Sequence, residues 1–104
     1  MSHHEKAKQI ISEAVDSINT RLQLRGTQKI LKTENEILLG EGGRLNSLSL
    51  VHFTVAVEEK TEALTGRTII LVDERAMSQK EQPLETIGSL IRYIEMLLSE
   101  HENA

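Results

Sequence analysis

The reactive groups of this 104-residue chain are sixteen carboxylates, four histidines, a set of hydroxyls and no cysteine. Without cysteine there is no thiolate nucleophile, no disulfide and no thiolate metal site, so a thiol would have to come from a cofactor. His3, His4, His52 and His101 lack metal-ligand spacing, and no intrinsic metal site is expected. Ser47 and His52 stand five residues apart, on different faces if that segment is helical, so they do not make a Ser–His nucleophile pair. No other acid, base or nucleophile constellation is visible, and the chain is not read as an enzyme. What remains is Ser47 itself, preceded by Asn46 and by glycines at 40, 42 and 43. Such a serine is most often a helix cap and nothing more.

The elements that must position these groups differ in legibility. Ala7, Ile10, Ile11, Ala14, Val15, Ile18 and Leu22 recur at helical spacing and predict an amphipathic helix over roughly 4–24. Ser2 with Glu5 suits a capping box at its start, and Gly26 a stop at its end. Ile87, Leu90, Ile91, Ile94, Leu97 and Leu98 predict a second such helix, opened by Pro83 and Glu85. From Thr27 to Leu45 short apolar patches and glycines give an irregular stretch of unusual length, the kind that is functional or hides a helical turn. Residues 46–60 are ambiguous. Phe53, Val55 and Val57 alternate with His52, Thr54 and Ala56 as in a strand, yet Leu48, Val51 and Val55 fit a helix capped at Asn46 or Ser47. The run at 68–72 raises the same question, and the two could pair as a hairpin. Between that run and the last helix, residues 73–78 suffice for one or two helical turns.

Composition narrows the function. The net charge of −4 divides into +3 over residues 1–33 and −7 over 34–104. An acidic field disfavours nucleic acid and suits a partner with a basic surface. Phe53 and Tyr93 are the only aromatics, which argues against a base-stacking surface or an aromatic-lined pocket. No apolar run reaches the roughly 18 residues that span a bilayer, and no signal-peptide apolar region opens the chain, so it reads as cytoplasmic and without a membrane partner. Met77 and Met96 read as core filler.

Taken as a unit, residues 39–60 resemble the prosthetic-group site of acyl carrier proteins. The match is Leu39-Gly-Glu-Gly-Gly-Arg-Leu-Asn46-Ser47-Leu48, followed by Val51, Val55, Ala56 and Val57 and then Glu58-Glu59. Ile70-Leu-Val-Asp-Glu is similar to the segment leading into that family's short third helix, and Thr86-Ile-Gly-Ser-Leu-Ile-Arg-Tyr-Ile to the start of its last. With the N-terminal helix, the similarity covers nearly the whole chain. It implies one all-α domain over 1–104, with an ordered core of about 5–100. It further implies a bundle of three longer helices plus one short one, a long loop between the first two, and a helical 52–57. It implies a 4′-phosphopantetheine arm on Ser47, donated by coenzyme A through a phosphopantetheinyl transferase. The arm would carry acyl or aminoacyl groups as thioesters for lipid or secondary-metabolite pathways. On this resemblance Asn46, Leu48 and Val51 surround the attachment point, Leu48 anchoring the turn and Val51 near the arm's root. Glu58, Glu59, Asp73 and Glu74 would steer partner enzymes with basic docking surfaces, and a monomer is expected.

The chemistry suits the position. Backbone N–H groups at a helix mouth, with the helix dipole, favour the phosphodiester that attachment creates. The thioester chemistry then belongs to the arm and the partner enzymes. Three residues depart from the family pattern. Asn46 replaces the usual Asp, which keeps the cap and removes a charge. His52 and Lys60 stand where acidic residues are common. The alternatives are an interaction module that keeps the fold without a prosthetic group, and a small α+β domain in which 50–57 and 68–72 pair as strands.

Overall fold

A computed structural model describes residues 2–24, 29–39, 42–43, 45–71, 74 and 82–102, with the backbone alone at 22–24, 47, 101 and 102. Among them are three helices and no strand: α1 (His3–Leu24), α2 (Ser47–Thr65) and α3 (Ile87–Glu102). α1 is the central element, packing against both α2 and α3.

Helix α1 begins as its sequence predicts. The Glu5 amide donates to Ser2 Oγ at 3.1 Å, Ser2 Oγ donates to the Glu5 carboxylate at 3.2 Å, and the Lys6 amide donates to the Ser2 carbonyl at 3.0 Å. One of the first turn's spare donors, the Glu5 amide, is thereby satisfied locally. Ala7, Ile10, Ile11, Ala14, Val15 and Ile18 are all buried, one continuous stripe between the other two helices. The predicted stop at Gly26 lies outside the described residues.

The ambiguous run at 50–57 is helical. A strand would turn Phe53, Val55 and Val57 to one side; instead Phe53 and Val57 are 0% exposed and Val55 is 44% exposed. Phe53, Val57 and Thr61 recur every four residues and meet the core, which is the helical period. Thr54 and Thr61 return their hydroxyls to the carbonyls of Val51 and Val57, at 2.9 and 2.8 Å. The helix stops at Gly66, whose φ of 72° is left-handed and whose amide donates to the Glu62 carbonyl at 2.8 Å. Beyond it, Ile69 and Leu71 are buried while Ile70 is exposed. Among the described residues that alternation has no strand partner and 50–57 is helical, so the α+β reading is set aside; the Glu58 side chain holds the segment through the Leu71 amide.

α3 starts two to four residues later than its predicted openers, because Pro83 and Glu85 lie in a preceding turn. Thr86 is its cap: the Ser89 amide donates to Thr86 Oγ1 and the Thr86 amide to Ser89 Oγ, both at 3.0 Å. The loop after α1 completes the start. Amides of Ile87 and Gly88 donate to the carbonyls of Glu36 and Glu34 at 3.0 and 2.8 Å, and the Leu38 amide donates to the Glu85 carbonyl at 2.8 Å. An isolated antiparallel bridge joins Ile37 to Thr86. Only glycine fits at 88, since a Cβ there would lie 2.9 Å from the Glu34 carbonyl oxygen. Further back, the Asn19 amide side chain pairs with both backbone groups of Ile30, at 2.7 and 2.9 Å. The long connection is therefore pinned at both ends although it contains no helix among its described residues. The short helix expected after residue 72 falls largely outside the described residues; Glu74 alone is described, and it is helical.

Candidate functional site

The loop that delivers the chain to α2 is held by backbone. Leu38 and Leu45 are both buried, and the Leu45 amide donates to the Leu38 carbonyl at 3.0 Å, closing the intervening residues into a loop. Gly42 turns it with φ 79°. At Gly43 a Cβ would come within 2.7 Å of the Leu38 carbonyl oxygen, so a side chain there would open the closure.

Asn46 follows, extended at φ −96° and ψ −178°, as the N-cap of α2. Its side-chain oxygen accepts from the Ser49 amide at 2.9 Å, and its own amide donates to Ser49 Oγ at 2.9 Å. This reciprocal box places Ser47 as the first helical residue, with the helix's positive end at its backbone. The side chain of Ser47 lies outside what is described. Asn at this position serves the cap through its carbonyl oxygen, the feature an Asp would share.

Leu48 and Val51 were expected to anchor the turn and to line the arm's root. The anchoring belongs to other residues: Leu45, Ser49 and Phe53 are buried, while Leu48 is 54% and Val51 57% exposed. With Val55 they form an outward apolar stripe at positions i, i+3 and i+7 of α2. The sequence marks these residues only as apolar and helically spaced; their displacement from the Phe53–Val57–Thr61 face is the signal that turns them outward.

The acidic residues divide. Glu59 and Glu74 are exposed, whereas Glu58 is half-buried and accepts from the Leu71 amide at 3.0 Å. Glu58 thus ties the segment after α2 back onto α2, a role no local pattern announces because its partner is thirteen residues away. Asp73 lies outside the described residues. His52 is half-buried, with Nδ1 3.3 Å from the Arg21 guanidinium. The N-terminal half of α2 therefore faces solvent with apolar side chains and has a cation at its flank, and its exposed acidity starts at Glu59. Among the described residues no group of three or more His, Asp or Glu is arranged to hold a metal ion, and no helix is long and apolar enough to cross a membrane.

No family model, no curated protein and no solved structure matches this chain.

Proposed function

We propose that this chain is a carrier protein that bears 4′-phosphopantetheine on Ser47 and presents acyl or aminoacyl thioesters to partner enzymes. The observation that carries the reading is the position of Ser47. It is the first residue of α2, directly after a capped Asn46 and a glycine-containing loop closed on both sides by buried leucines. In the attachment step the Ser47 hydroxyl oxygen bonds to the phosphorus that bears the pantetheine in coenzyme A. The pyrophosphate bond breaks, the adenosine bisphosphate leaves with its electron pair, and the serine proton passes to the transferase. The resulting phosphodiester sits at the positive end of α2. The arm supplies the thiol that a cysteine-free chain lacks.

The stripe of Leu48, Val51 and Val55 fits a surface that partner enzymes grip, since solvent-facing apolar residues aligned on one helix face mark a contact site. Glu59 and Glu74 add an acidic rim that steers basic partners. The proposal includes a short helix after residue 72, a monomeric state and a cytoplasmic setting.

A second reading has its own support: the same stripe serves an interaction module without any arm, and the uncharged Asn46 weakens the site for a transferase. One experiment separates them. The chain is incubated with coenzyme A and a broad-specificity phosphopantetheinyl transferase, and its intact mass is measured. A gain of one arm, absent in Ser47→Ala, supports the carrier. No gain with several transferases sinks it in favour of the module.

A further inference from the structure

At the far end of α2 from Ser47, about 27 Å away along a 19-residue helix at 1.5 Å per residue, three elements meet around a polar cleft. Its volume is about 190 Å³, and it is lined by His3 and Lys6 from the first turn of α1, Leu64 and Thr65 from the last turn of α2, Arg67 beyond it, and Leu98 of α3. Lys6 and Arg67 are both half-buried, and neither side chain makes an ion pair among the described residues. Lys32, by contrast, is neutralised by Asp16 at 2.8 Å. No carboxylate is among the described lining residues. The backbone of Arg67 is tied to α2: its amide donates to Thr65 Oγ1 at 3.2 Å, and that hydroxyl donates to the Thr61 carbonyl at 2.7 Å. The cleft also opens at the N-terminal turn of α1, whose dipole adds positive potential.

We propose that this cleft is a binding site for a phosphate-type oxyanion, held between the Lys6 ammonium and the Arg67 guanidinium. Two half-buried cations line one cleft, and an anion between them would make charge-assisted hydrogen bonds to both. The chemistry of the donors favours one class of anion. A planar guanidinium takes two oxygens side by side, and a separate ammonium takes a third. A tetrahedral phosphoryl group offers all three, whereas a carboxylate is exhausted by the arginine alone. The site is independent of Ser47 and of any arm attached there, so it stands or falls separately from the carrier reading.

The test is a titration of the full-length chain with inorganic phosphate and with pyrophosphate, followed by amide NMR at constant ionic strength. Saturable shifts confined to residues 3–6 and 64–67 are expected. Lys6→Gln and Arg67→Gln should each weaken binding roughly tenfold or more, the range of a hydrogen bond between charged partners. Lys8→Gln, exposed on α1 outside the cleft, should leave it unchanged. A second arm uses vesicles of phosphatidic acid against phosphatidylcholine. Co-sedimentation with the former alone, lost in the same two variants, assigns the phosphoryl group to a lipid headgroup; saturation by pyrophosphate without vesicle binding assigns it to a soluble ligand. Shifts that merely follow salt, or wild-type affinity in folded Lys6→Gln and Arg67→Gln, overturn the proposal.

Discussion

The start of α2 rests on two residues, and Ser49→Ala tests whether they act as a unit. Ser49 is 4% exposed, and its Oγ accepts from the Asn46 amide at 2.9 Å while donating back to Asn46 Oδ1 at 3.0 Å. Alanine removes both bonds, at about 1 kcal/mol each, and returns about 0.5 kcal/mol in helix propensity. The net loss is about 1.5 kcal/mol. For 104 residues the unfolding entropy is about 220 cal/mol/K, so the midpoint should fall by roughly 7 °C. Thermal and urea unfolding followed by circular dichroism at 222 nm measure it. Asn46→Ala should cost a similar amount, because the Ser49 amide loses its acceptor. Since the two residues satisfy one another, the double variant should cost at least about 0.5 kcal/mol less than the sum. A loss in Ser49→Ala under about 0.3 kcal/mol, or strict additivity, would refute a reciprocal cap as what fixes the beginning of α2.

Three further outcomes follow from the same contacts. Asn46→Asp keeps the acceptor and adds a negative charge at the helix N-terminus, so it should stabilise by about 0.3–1 kcal/mol and speed arm attachment to Ser47; an attachment rate equal to that of the wild type would remove missing charge as the limitation. Gly88→Ala gains about 1 kcal/mol of helix propensity but sets a Cβ 2.9 Å from the Glu34 carbonyl, a backbone atom that cannot step aside. Destabilisation is expected in urea unfolding, and a stabilised variant would contradict the close approach of loop and helix. Glu58→Ala releases the Leu71 amide, whose hydrogen exchange should accelerate about tenfold for a bond to a charged acceptor. Glu58→Gln, which retains an oxygen acceptor, should show a smaller effect, and equal protection in all three proteins would dismiss the tether.

By itself the sequence determined α1 and α3. Each buries one face, from Ala7 to Ile18 and from Ile87 to Leu98, so the 3.6-residue period is written in a single element. Ser2 with Glu5 was legible for the same reason, because both partners of that cap lie within one turn. The sequence also determined the absence of a thiol and placed a serine behind a glycine-containing loop. It did not decide between strand and helix at 50–57, since a run of Val, Thr and Phe satisfies both periods. Packing against α1 decided it: Phe53 and Val57, four apart, both reach the buried face, and that leaves Leu48, Val51 and Val55 toward solvent. Tertiary structure alone likewise made Glu58 a tether for Leu71, joined Asn19 to Ile30, and brought Lys6 and Arg67 to one cleft. Each of those pairings spans more than ten residues, and a pattern read along the chain carries no distance between points that only folding brings together.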